Sequence, residues 1–422
     1  MSASELFSES ITAATVVDGR ALDGTAGLLM LLRNAVDRAR GGDVVEVRAH
    51  PSAAEDVAAW CRLSRCELIA SLDAGDHTRT LIRVPQTHGG ADRPDWGVRL
   101  PLRDGTHADV RDWFTGRAGA VPAEAPAYLG FVPRGAVAQG ETPAYPFALN
   151  RKEDVWASSL PDLYEQAKGQ QWNATTDIPW SELPALREDL ERAVCQLMTF
   201  LAENEYAALY IPAKFLPRIN AQYVEAVLFL GTMIADEARH IEAFTKRALA
   251  NGGGLQYSAA LTEWSLYGLL VQEDYFRSSF LLHVLGEGTF LDLLEFIEQH
   301  APDRVTAEVV RRARLDEGRH VAYGIAHARE RLAAEPARAE DLVAAAEERS
   351  AALRATSGDN PMVKESLAVI AGEQLGGFAA GLRATDDLYR GMHAHRVRRM
   401  LQIGLPPATA EAISDLHTPN FM

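Results

Sequence analysis

Cysteine is scarce in this 422-residue chain: Cys61, Cys66 and Cys195 are its three, too few for a disulfide framework, which makes the cytoplasm the expected compartment. No run of eighteen or more apolar residues occurs, so no membrane-spanning helix is expected. Residues Met1 to Ser10 lack a basic start followed by an apolar stretch, so no signal peptide is expected either. Positive charge is in deficit. The 42 Lys and Arg against 58 Asp and Glu leave a formal net charge of −16, which argues against nucleic acid as a ligand, because phosphate neutralisation needs clustered cations. The acid surplus serves solubility or docking to a basic partner. No flavin or nicotinamide fingerprint is present, so redox chemistry would need electrons from a separate donor or from the substrate. There is no short internal repeat.

What is present suggests a mainly α protein preceded by a small α/β domain. The length calls for two domains or three. Within 1–84, Thr15–Val17, Asp43–Val47, Leu68–Leu72 and Thr80–Val84 read as strands. Gly27–Arg40 and Glu55–Leu63 read as helices, giving the order βαβαββ. Residues 85–159 form a connecting segment whose aromatics, such as Trp96, Trp113, Tyr128 and Tyr145, need somewhere to pack. Residues 160–422 read as a four-helix bundle with extra helices. One helix runs to Tyr210 and stops near Pro212; a second covers Ala221–Ala250 and ends at Asn251-Gly-Gly-Gly254. Ser258–His300 should break near Glu273 to Ser279. Helices over Asp303–Ala333, Arg338–Ala355 and Pro361–Ile403 follow.

Two segments carry the chemistry: Asp236-Glu237-Ala238-Arg239-His240 and Asp316-Glu317-Gly318-Arg319-His320. Residues three apart share a helix face, so Glu237 with His240, and Glu317 with His320, can reach one metal each. A Glu-x-x-His on each of two helices, with one Glu from each of two others, is how bundles hold two iron or manganese ions. Carboxylates suit hard cations and bridge them, while imidazole adds a nitrogen ligand. With 12 histidines, about one Glu-x-x-His arises by chance; two copies, each with a preceding Asp and an Arg before the His, are far rarer. Glu205, on the face of Met198, Leu201, Ala208 and Leu209, is the preferred first partner. Glu203, nearer the face of Thr199, Phe200 and Tyr206, is the alternative. Glu287, a lone acid in Leu285-Gly-Glu-Gly-Thr289, is the other partner. Glu205 stands 32 residues before Glu237 and Glu287 stands 30 before Glu317, each about one helix plus a turn. Asp236 and Asp316 could each orient the His of the opposite motif, with Arg239 and Arg319 balancing their charge; the alternative is surface ion pairing.

The doubled Asp-Glu-x-Arg-His resembles the ferritin-like di-iron oxygenases: bacterial multicomponent monooxygenases, acyl-carrier desaturases and, more loosely, the ribonucleotide reductase small subunit. Tyr164-Glu-Gln-Ala-Lys168, Trp172 and Asp177-Ile-Pro-Trp180 are similar to the lead-in before that superfamily's first ligand helix. The likeness spans about 160–335. It implies that Glu205, Glu237, His240, Glu287, Glu317 and His320 bind two irons, or manganese with iron, and that the reduced centre activates O2. The N-terminal part resembles the TusA-type sulfurtransferases at Asp18-Gly-Arg-Ala-Leu22, Gly42-Asp-Val-Val-Glu-Val47, and Glu55-Asp56 through Trp60-Cys61. Where that family has Cys-Pro-x-Pro this chain has Gly24-Thr25-Ala26-Gly27, which implies a degenerate domain without the sulfur-carrying nucleophile.

The expected function is therefore an O2-dependent oxygenase or oxidase acting on a small organic metabolite by hydroxylation or N-oxygenation. It would be served by an external electron donor, with the chain a candidate homodimer. The alternative is a metal-binding or partner-docking protein linked to sulfur metabolism. Tyr206, beside Glu205, and Tyr323, one turn after His320, are candidate redox tyrosines; either could instead be an ordinary packed hydroxyl. His283, four residues before Glu287, is a candidate supplementary ligand or a histidine that supports one. Trp264, Tyr267, Phe276 and Phe280 are candidate pocket aromatics.

Overall fold

A computed structural model describes Phe7 and residues 11–22, 27–86, 108–136, 143–355 and 361–416. Trp96 and the Gly24-Thr25-Ala26 segment lie outside the described residues. The chain divides into two compact units, Met1–Arg103 with Tyr128–Tyr145, and Asp104–Ala127 with Pro146–Met422.

In the first unit, β1 (Thr15–Gly19), α1 (Leu28–Arg38), β2 (Val44–Ala49), α2 (Ala54–Ser64), β3 (Glu67–Asp73) and β4 (Thr78–Arg83) follow in the order βαβαββ. They build a mixed sheet, β1-β2-β4-β3, with β1 parallel to β2 and β4 antiparallel to both its neighbours. Leu28, Leu32 and Val36 recur every fourth position of α1 and bury one stripe. They share a core with Val57, Trp60 and Cys61 of α2 and with Val45, Val47 and Ile82 of the sheet. Burial pushes the Cys61 thiol up to about 12 and raises Cys66 as well, so neither is a nucleophile at neutral pH.

The second unit is helical. After α3 (Lys152–Val155) and α4 (Leu160–Gly169) come the four rods of a four-helix bundle. These are α5 (Glu188–Phe215), α6 (Val224–Ala250), the composite rod described next, and α10 (Arg304–Ala334); α7 (Ala260–Leu270) intervenes between α6 and the third rod. That rod begins with α8 (Tyr275–Ser279), widens into a π-helical segment over Phe280–Glu287 and closes as α9 (Gly288–His300). Then come α11 (Ala339–Ala355), α12 (Pro361–Leu375), α13 (Phe378–Gln402) and α14 (Pro407–Leu416).

Several boundaries differ from the sequence expectation. Pro212 does not end the first rod; it is buried within it, in the last turn, as are Ile211 and Phe215, and the missing N–H is tolerated that close to the end. The rod ends instead at the Leu216–Arg218 turn. The interruption expected near Glu273 to Ser279 lies earlier, at 271–274, and the Asp274 carboxylate caps α8 by accepting from the Arg277 N–H. The single helix expected over Pro361–Ile403 is two, because Gly376 and Gly377 adopt φ of 90° and 123°. At one end of the bundle the buried Arg247 ties three rods together, donating to Glu191 at 2.7 Å, Thr306 at 2.6 Å and Asp303 at 3.2 Å. Among the described residues no helix is long and apolar enough to cross a membrane.

Candidate metal centre

Each rod delivers one part of a buried cluster. α5 contributes Glu205, α6 contributes Glu237 and His240, the π-helical segment ends on Glu287, and α10 contributes Glu317 and His320; each is 5% exposed or less. Their potential ligand atoms form two overlapping groups, each within 4.8 Å: Glu205, Glu237, His240 and Glu317, and Glu237, Glu287, Glu317 and His320. Glu237 and Glu317 belong to both. They occupy the middle, where a bridging carboxylate would stand, with one Glu and one His on either side.

The donor atoms converge with one hydrogen bond among them, His240 Nδ1 to Glu237 Oε2 at 3.2 Å. Glu205 Oε1, Glu237 Oε1, Glu287 Oε1, both Glu317 oxygens and His320 Nδ1 are buried with no hydrogen-bond partner. Yet His320 Nδ1 lies 2.9 Å from Glu237 and 3.4 Å from Glu317, and His240 Nδ1 lies 3.3 Å from Glu317. Burying polar atoms unpaired costs about 1–3 kcal/mol each, more for charged ones. So many at one point fit atoms aimed at cations, not at each other. Charge agrees. The carboxylates of Glu205, Glu237, Glu287 and Glu317 match two divalent ions, while Asp236 and Asp316 are matched by Arg239 and Arg319.

The outer sides of the two imidazoles are crossed. His240 Nε2 lies 3.1 Å from Asp316 and His320 Nε2 lies 3.3 Å from Asp236, so each Asp faces the histidine of the other motif. Arg319 donates to Asp236 at 3.0 Å and to Asp316 at 2.5 Å; Arg239 donates to Asp316 at 3.2 Å and pairs with Asp236. These are buried contacts, not surface ion pairs. With Nε2 held by a carboxylate, Nδ1 of each ring is turned toward the cluster. Burial raises Glu205 well above the carboxylate range, and the charges of Glu237 and Glu317 add to it. Burial also opposes ionisation of Glu237, but His320 and His240 overcome it and hold that group low. Both histidines are raised: burial pulls them down, and the surrounding carboxylates outweigh it. Without cations the cluster keeps protons to offset its charge, and cations would displace them.

The remaining candidates separate by position. Glu203 stands outside the cluster, accepting from the Ser258 hydroxyl, and is pushed up to about 7 by burial and by Glu263. His283 Nδ1 lies 2.7 Å from Glu287 Oε2, so it supports that carboxylate and belongs to neither group of ligand atoms. Tyr206 is 52% exposed, on the solvent side of α5. Tyr323 is fully buried; its ring lies edge-on to His283, and its hydroxyl contacts Tyr275 at 2.7 Å and the Val155 carbonyl at 3.0 Å. Trp264 and Tyr267 are exposed, Phe276 and Phe280 buried.

Sequence reasoning missed the roles of Gln170, Gln171 and Trp172. Trp172 donates its indole N–H to Asp316 at 2.7 Å and stacks near His240. Gln170 accepts from Arg319 at 2.7 Å and Gln171 accepts from Arg239 at 2.8 Å. The one available signal was a polar, aromatic run directly after a helix.

No protein-family model and no curated protein matches this chain. Among solved structures, the chain is similar to variants of an R2-like ligand-binding oxidase. Two with a Mn/Fe cofactor are each 20% identical, with TM-scores of 0.45 and 0.47. One with an Fe/Fe cofactor is 19% identical, with a TM-score of 0.45. Each match covers 58% of this chain and 94% of the other.

Proposed function

We propose that the helical unit is a non-haem di-iron oxygenase or oxidase that acts with O2 on a small organic metabolite, by hydroxylation or N-oxygenation. The observation that carries this reading is the set of unpaired, buried ligand atoms converging from four rods. Glu205 and His240 would hold one ion, Glu287 and His320 the other, and Glu237 and Glu317 both. The donor set, rich in carboxylate with one nitrogen per ion, suits iron, or manganese with iron. A bound pair of this kind would supply electrons to O2. With ions bound, Asp236 and Asp316 would hold the imidazoles in the tautomer that leaves Nδ1 unprotonated; burial opposes ionisation of both carboxylates, and the histidines facing them hold them low, with Trp172 and Arg319 adding to it at Asp316. Phe229, Phe244 and Phe280, all buried in the core that encloses the rods, keep bulk water out. The proposal includes an external electron donor, a cytoplasmic setting and a homodimer.

The test is direct. Anaerobic Fe(II) loading should give two irons per chain by chelator assay, and exposure to O2 should consume it with a visible absorption change. Glu237→Ala and Glu317→Ala, which remove the shared ligands, should abolish both. Purified chain that takes up no iron, or either variant with wild-type O2 consumption, ends the proposal.

A second reading rests on the first unit: its βαβαββ sheet and its two buried, raised thiols suit a degenerate TusA-like domain kept for docking in sulfur metabolism. Inert iron together with tight binding of a sulfur-relay protein would favour that role.

A further inference from the structure

Beside the four rods, α7, the two residues after it and α11 line a half-open cavity of about 250 Å³. Its walls are mostly apolar, with Trp264, Val271, Leu281 and Leu353 among them, and Arg349 enters from α11. Leu281 comes from the π-helical segment, two residues before His283, which places the cavity on the side of that segment away from Glu287. It is separate from the metal cluster.

The arginine is the unexplained feature. Its guanidinium donates to the Ser265 carbonyl at 3.2 Å and to the Ser265 hydroxyl at 2.5 Å, both neutral acceptors. Of the five N–H donors a guanidinium carries, three are left over. Among the described residues no carboxylate is paired with it; the adjacent Glu348 is engaged by Arg277 at 3.3 Å. Burial lowers Arg349 to about 10, so it stays a cation at neutral pH. A partly buried cation facing mostly apolar walls with open donors is arranged for an anion that brings its own hydrophobic body. The volume equals that of about eight waters, room for an acid of about eight to ten non-hydrogen atoms. Gly268 helps make the space: a Cβ there would meet nothing within 4 Å.

We propose that this cavity is a binding site for a small organic monocarboxylate, its carboxylate on Arg349 and its apolar body against Trp264, Val271, Leu281 and Leu353. Planar, forked guanidinium geometry matches a carboxylate in two parallel hydrogen bonds, and an alcohol of equal length cannot use them. The site discriminates on charge at one end and shape at the other. It stands independently of the metal reading.

The experiment compares hexanoate with hexan-1-ol by calorimetry on the full chain, with and without iron. Hexanoate should bind at least about tenfold tighter than the alcohol, in both forms. Arg349→Met should remove that preference while retaining the weak alcohol binding, and Arg349→Lys should restore part of it. Gly268→Phe should block both ligands. Circular dichroism on each variant checks that the fold is kept. Equal binding of acid and alcohol to the wild type overturns the proposal. So does an undiminished preference in Arg349→Met, or hexanoate binding that requires iron, which would place the carboxylate on the metals.

Discussion

Asp316→Asn is a sharp perturbation of the cluster, because it changes one atom and one charge at a buried carboxylate with four partners. Asp316 Oδ2 accepts from the Trp172 indole at 2.7 Å and from Arg239 at 3.2 Å, and it lies 3.1 Å from His240 Nε2; Oδ1 accepts from Arg319 at 2.5 Å. An amide offers one acceptor. Whichever way it turns, an NH2 meets either Arg319 or the Trp172, Arg239 and His240 donors, and two arginines are left with one acid between them. Breaking a buried ion pair costs about 3–5 kcal/mol, and the shape kept by Asn places the expected loss near the lower end. The effect on metal should be one-sided. Asp316 orients His240 and not His320, so the ion held with Glu205 should weaken about 10–100-fold, or roughly 1.4–2.7 kcal/mol, while the ion at Glu287 and His320 keeps its affinity. Anaerobic Mn(II) titration followed by EPR reads both steps: the wild type should bind two ions and the variant one tight and one weak. Asp236→Asn should weaken the opposite ion. Asp386→Asn, which breaks an exposed pair with Lys364, should leave both steps unchanged. Two wild-type affinities in Asp316→Asn would refute the orienting role.

Three further outcomes are expected. In Gly324→Ala the new Cβ would meet His283 Cβ at 2.4 Å, so His283 must shift off Glu287; a stability loss of about 1–3 kcal/mol and a weaker ion at the Glu287 end should appear in urea melts and the Mn(II) titration. Arg247→Leu leaves Glu191 and Asp303 buried without their cation and should cost about 3–5 kcal/mol by denaturant unfolding; a loss within experimental error would rule out the three-rod tie. Glu203 has a folded value of about 7, above its ordinary 4.5. Its contribution to stability is complete below the lower value and is lost as pH rises through the upper one. Glu203→Gln should therefore flatten the fall in unfolding midpoint between about pH 5 and about pH 8. An unchanged pH slope would mean that another group causes it.

Residue order alone was enough to read what lies along each element. Apolar spacing marked the strands and helices of the first unit, and the doubled Glu-x-x-His put each carboxylate and imidazole on one helix face, because three residues are nearly one turn. Which faces meet depends on packing between elements far apart in the chain. Glu203 and Glu205 are both acids on one rod, two residues apart and so on opposing sides; only the packing of α5 sends Glu205 into the cluster and Glu203 to Ser258 and Glu263. Tyr206 and Tyr323 each stand near a cluster residue in sequence, yet one faces solvent and the other lies against His283. The π-helical segment that carries Glu287 left no mark in periodicity, because all eight of its residues are buried and no polar face marks the wider turn. The same holds for Trp172, whose bond to Asp316 spans 144 residues: local spacing fixes direction within an element, and only the folded chain brings distant donors and acceptors within reach.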